Sequence, residues 1–234
     1  MTSRPQPQAK RTPAASAAKR QPVVSAKRDT ASPARRKPPL ERRTEIVQAA
    51  SVLALAEGLE SLTLRRVADA LGVVPGLVNH YFRSVEDLVA EAFAAAAHDE
   101  FSTLFDEVDE AGTPLERMRA LIALLVSDER DDISLLWIDA WNASRRSPAL
   151  HAEVSRLMLV WQERVAELIS AGVTDGVFRA ADPPAAATRI MAISDAFSLQ
   201  ASVRSPVDYV VVRQMVIDNA ERELDLRPGE LAPS

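Results

Sequence analysis

Residues 72–82 read Gly-Val-Val-Pro-Gly-Leu-Val-Asn-His-Tyr-Phe, and Arg83 follows. Gly76, Asn79, His80 and Arg83 are spaced i, i+3, i+4 and i+7, which puts them on one face of a helix. Glycine on such a face permits close backbone approach. The asparagine amide can pair bidentately with the N6/N7 edge of adenine, and the imidazole can donate or accept. Leu77 suits contact with a thymine methyl. Pro75, Val78 and Phe82 fall on the opposite face, where they can pack against Val67, Ala68 and Leu71. This is chemistry for reading base edges, yet residues 72–82 contain no Lys or Arg to hold phosphates.

Three short helices must position that face. Ile46, Ala49, Ala50 and Leu53 form a stripe that ends at Gly58, where a left-handed C-cap is expected. Thr63 offers an N-cap for a helix over 64–71, Gly72 supplies the turn, and Pro75 suits the first turn of the next helix. This is the layout of a helix-turn-helix. Ser84 and Asp87 open a fourth helix, which carries Leu88, Phe93, Phe101, Leu104, Phe105 and Val108. Further helical stripes run from Pro114, through Ile133 to Ser144, and from Pro148 to a break at Gly172 and Gly176. Two more are expected from about Pro184 to Val203 and Pro206 to Leu226. The fold class is all-α, with about nine helices.

Composition removes several function classes. The chain has 234 residues and no cysteine, so disulfides, thiolate metal sites and cysteine nucleophiles are excluded. Its three histidines, at 80, 98 and 151, form no HxxxH pair, and consecutive residues in His98-Asp99-Glu100 point apart on a helix. No G-x-S-x-G, P-loop or GxGxxG is present. Neither catalysis, metal nor cofactor is expected, and no apolar run is long enough to span a membrane. A soluble protein of a reducing compartment is the expectation.

Charge is unevenly placed. Residues 1–40 hold ten Lys/Arg against one acid, so this segment is +9 and the rest must be −14 to reach the net −5. Seven of the fifteen prolines lie there too, and a disordered basic tail is expected. Residues 41–90 contain five Arg against seven acids, so the three-helix unit is not itself basic.

The stretch TLRRVADALGVVPGLVNHYFRSVEDLV, residues 63–89, resembles the DNA-binding segment of TetR-family transcriptional regulators. Toward the C-terminus, LLWIDAWNASRRSPAL, Trp161 and DGVFRAADPPAAATRIMAISDAFSLQ are more loosely similar to BetI-type effector domains. The resemblance implies a helix-turn-helix domain over 41–86, an effector-binding and dimerisation domain over 87–228, and a disordered end at 229–234. It implies that Thr63 and Arg65 on the second helix and Pro75, Gly76, Leu77, Asn79, His80, Tyr81 and Arg83 on the third meet DNA. Val74 stands where the family usually has a capping Ser, Asn79 where Tyr is common, and Val85 where Lys is usual.

The same resemblance implies a homodimeric repressor of the bacterial cytoplasm that binds a palindromic double-stranded operator and is released by a small-molecule effector. Trp137, Trp141 and Trp161 either fill the bundle core or line the effector pocket, with Phe101, Asn142, Met158, Met191 and Ser194 as neighbours. Ile190, Ile193, Phe197, Val210, Val211 and Gln214 are the expected dimer contacts. Movement of the fourth helix would couple the two sites. The rival expectation is a helical ligand- or partner-binding protein without a specific operator.

Overall fold

Prolines and small polar residues set the helix starts. Pro39, Pro75, Pro114, Pro148 and Pro183 each occupy a first-turn position, where the missing N–H costs no hydrogen bond. Thr63 Oγ1 accepts from Arg66 N (3.1 Å), Ser84 Oγ from Asp87 N (3.1 Å) and Asp182 Oδ1 from Ala185 N (3.0 Å). Thr113 and Glu116 complete a reciprocal capping box.

The computed structural model describes residues 38–127 and 130–232. Among them are nine α-helices: α1 (Pro39–Glu57), α2 (Leu64–Leu71), α3 (Pro75–Tyr81), α4 (Val85–Glu110), α5 (Pro114–Leu125), α6 (Asp131–Ser144), α7 (Pro148–Thr174), α8 (Pro183–Ser202) and α9 (Tyr209–Leu224). A 3₁₀ turn, Leu59–Ser61, joins α1 to α2. No strand occurs among the described residues.

The core has two main parts threaded by α4. The first joins Ile46 and Ala50 of α1, Val67 of α2, Val78 of α3 and Phe93 of α4 to Leu136 of α6 and Leu157 of α7. The second gathers the later turns of α4, α5 and α7 with α8 and α9. The expected boundary between 86 and 87 therefore cuts through a shared core. The three-helix unit is seated directly on α4 and α6.

Several expectations are corrected. Helix α1 begins at Pro39, inside the segment assigned to the tail; the rest of that tail, 1–37, lies outside the described residues. Gly58 has φ 82° and ψ 159°, an extended positive-φ conformation rather than the left-handed helical one. Gly172 does not break α7. A Cβ there would lie 2.1 Å from Cδ2 of Phe178, so the glycine makes room for that ring, and Gly176 (φ 72°) makes the turn. The C-terminal segment is not loose over 229–232. Leu231 is fully buried, its N–H donates to Oε1 of Glu221 (2.8 Å), and Nη2 of Arg119 donates to the Glu230 carbonyl (2.8 Å). One apolar side chain and a buried carboxylate anchor what composition alone marked as a free end.

Candidate nucleic-acid interface and effector cavity

The turn before α3 is fixed by Gly72, left-handed at φ 65°, with Val73 N donating to the Ala68 carbonyl at 3.0 Å. Val78 and Phe82 are buried against Val67 and Ala68. Gly76, Asn79, His80 and Arg83 are all exposed, as their spacing requires. Pro75 is exposed as well, so it leaves the core face assigned to it from periodicity. Leu77 and Tyr81 are half-buried, Tyr81 with its ring edge-on to His80 at 5.3 Å. Thr63 is exposed, and its hydroxyl serves as the α2 cap.

Most arginines here are committed to the protein. Arg43 stacks over the Phe82 ring at 4.2 Å, donates to the Tyr81 carbonyl (2.9 Å) and pairs with Glu91, which clamps the end of α3 to α4. Arg66 pairs with Glu57, and Arg42 with Glu45 at 2.6 Å. Arg65 is exposed, with Asp69 only at 3.9 Å, and Arg83 has no ion pair among the described residues. Arg65 and Arg83 are therefore the two uncommitted arginines around the exposed Gly76, Asn79 and His80.

Helix α4 runs from Ser84 beside α3 to the back of a cavity that α6, α7 and α8 line and that is partly open to solvent. Trp137, Trp141, Met158, Trp161, Met191 and Ser194 all line it. Trp137 is edge-on to Phe93 of α4 (4.9 Å) and 5.9 Å from Trp141; Trp161 is edge-on to Phe101 (5.3 Å). Phe101 thus backs the wall rather than forming it. Asn142 is exposed and does not line the cavity, since α6 turns it outward one position beyond Trp141.

Sequence reasoning assigned no charged residue to this cavity. Arg130 lines the cavity and pairs with Glu100 of α4, whose other oxygen accepts from Trp137 Nε1 at 3.2 Å. Asp195 of α8 also lines it. Burial pushes the Asp195 carboxyl up to about 6, which the charge of Arg130 only partly offsets. Burial likewise lowers the Arg130 guanidinium to about 10, opposed by Asp195. Two carboxylates thus act on one guanidinium, and Trp161 Nε1 is buried with no hydrogen-bond partner among the described residues. Arg130 sits in the run Ser-Asp-Glu-Arg-Asp-Asp, which reads as solvated loop, so composition offered no signal for it.

The expected dimer residues divide in two. Ile190 and Phe197 are buried in the chain's own core, at 0% and 2% exposure, and so are not surface contacts. Ile193 is half-buried against Phe197, whereas Val210, Val211 and Gln214 are exposed. Leu199 of α8, Val203 at its C-cap and Met215 of α9 are further exposed apolar residues beside Val210 and Val211.

Comparison with known proteins places these features. Residues 46–92 match the family described as bacterial regulatory proteins, tetR family, and residues 114–225 match the BetI-type transcriptional repressor C-terminal family. The chain is 34% identical over 80 residues to the repressor KstR2 of Mycobacterium tuberculosis, covering 34% of this chain and 40% of that protein. It is 29% identical over 179 residues to the regulator BetI of Rhizobium meliloti, covering 72% and 87% respectively. A solved transcriptional regulator from Saccharomonospora viridis, in complex with choline, shares the fold at a TM-score of 0.66 and 24% identity, over 79% of this chain and 98% of that one. No described helix is long and apolar enough to cross a membrane. With its reading face, its cavity and both family matches in place, the chain belongs to the TetR family of transcriptional regulators.

Proposed function

We propose that this chain is a homodimeric, ligand-released repressor acting in the bacterial cytoplasm. Gly76, Asn79 and His80 would enter the major groove of each operator half-site while Arg65 and Arg83 meet flanking phosphates. The observation that carries the reading is the course of α4, capped beside α3 at Ser84 and tied to the cavity through Glu100. A ligand that repositions Glu100 acts on an element shared with the DNA-reading unit. To matter, that ligand must bind one arrangement better than the other.

The exposed apolar face of α8 and α9 supports association with a second copy by an isologous contact. Sedimentation equilibrium should return twice the chain mass; a monomer would contradict it. A palindromic operator follows from that symmetry.

The cavity's chemistry favours a cationic ligand. Three indoles and a surplus carboxylate suit an ammonium head, which gains from aromatic faces and from Asp195 together. The partnerless Trp161 N–H asks for an acceptor oxygen on the same molecule. The choline bound by the S. viridis regulator has both groups, and the apolar lining supplied by Trp141, Met158 and Met191 suits an added alkyl chain.

The basic segment 1–37, outside the described residues, would supply the phosphate-binding charge that the three-helix unit lacks. Deleting it should weaken operator binding and flatten its salt dependence. An unchanged salt slope would remove the tail from the account. Effector release is tested by fluorescence anisotropy of a bound operator titrated with choline or hexyltrimethylammonium.

A further inference from the structure

Val74 is poorly suited to its position by two local criteria. It is the N-cap of α3, with extended backbone (φ −71°, ψ 139°), and supplies no side-chain cap where Ser, Thr, Asp or Asn would. Its side chain is also 72% exposed, while the adjacent Val73 packs against the core. An isopropyl group is thus held in water at a position where a serine would both solvate better and cap the helix. Its surroundings are continuous with the reading face. Pro75 and Gly76 are exposed, and a Cβ built on Gly76 would meet nothing within 4 Å.

The leading residues of a recognition helix are those that reach base edges. Only one group on the major-groove edge of a base pair is apolar, the C5-methyl of thymine. We propose that Val74 is a specificity-determining residue that packs on a thymine methyl in each operator half-site. The proposal rests on the DNA-binding reading above. At this point the reading face discriminates by an apolar contact, and Asn79 supplies the hydrogen bonds farther along the same face.

The experiment begins with selection of bound duplexes from a random pool by the full-length chain. Each thymine of the selected site is then replaced, in symmetric pairs, by deoxyuridine, which removes only the methyl. Affinity is measured by fluorescence anisotropy. For the wild type, one symmetric pair should lower affinity about fourfold per half-site, the worth of one buried methyl. V74S should lose sensitivity at that pair alone, and V74I, which keeps the methyl groups, should retain it. Both substitutions are at an exposed position, and thermal melts check that both variants fold. Tolerance of every deoxyuridine by the wild type would overturn the proposal, as would an unchanged pattern in V74S. Either result would leave DNA binding standing. A pool that yields no selected sequence would overturn the DNA-binding reading and this proposal with it.

Discussion

The reading face of α3 and the cavity between α6, α7 and α8 are built on opposite principles. On α3 the groups proposed to meet DNA are neighbours in sequence, exposed, and almost free of intramolecular partners, while Arg42, Arg43 and Arg66 beside them are paired and Arg65 and Arg83 are left out. The cavity's lining comes from separate stretches of chain and includes charge: Arg130 and Asp195 line it, and Glu100 pairs with Arg130 from α4. An exposed face keeps its fold when altered, because its polar atoms return to water. A buried charge does not, because its partner is stranded without solvent. Changes at the two sites should therefore leave different signatures: affinity alone at α3, affinity and stability together in the cavity.

The largest contrast is expected from Glu100→Gln. It strands Arg130 and should cost about 3 kcal/mol of stability, read as a lower denaturant midpoint. A change below about 0.5 kcal/mol would mean that the pair is solvated and the contrast false. Asp195→Asn is expected to weaken binding of hexyltrimethylammonium by about 100-fold in calorimetry, an effect of about 2.7 kcal/mol. The same variant should be more stable than the wild type at neutral pH. Ionising Asp195 in the fold is unfavourable, so stability falls as pH rises from its ordinary 3.8 through about 6, and the amide removes that loss. Equal ammonium affinity in the variant would exclude the carboxylate as the recognition group.

At α3, Asn79→Ala should cost about 1–3 kcal/mol of operator affinity and relax preference at one base pair, with melting unchanged. A shift in melting comparable to that of Glu100→Gln would show that the face is structural after all. The smallest effect is in pH. Ammonium affinity should fall about tenfold between pH 7 and pH 5 as Asp195 takes up its proton, and Asp195→Asn should flatten that profile. A flat wild-type profile would place the cation elsewhere.

The same contrast explains what was legible in the sequence. Asn79, His80 and Arg83 could be placed because helical spacing alone decides their face, and Gly72 marks the turn. The tryptophans could be placed by periodicity, although periodicity could not choose between core and pocket. Arg130 could not, because its acidic neighbours resemble a solvated loop and its partner Glu100 is thirty positions away. Ile190 and Phe197 were misassigned because α8 is apolar on more than one side, and sequence does not say which side meets a second copy. Leu231 was missed because a single apolar residue in a polar end carries no period.

The central claim is that cavity and reading face are joined through α4. The most direct measurement is operator affinity, by fluorescence anisotropy, without and with hexyltrimethylammonium at a concentration that saturates the wild type but leaves Asp195→Asn unliganded, for both proteins. The wild type should lose about tenfold or more in affinity, a coupling of about 1.4 kcal/mol, while the variant loses none. Unchanged wild-type affinity, with calorimetry showing the ligand bound, would contradict the coupling.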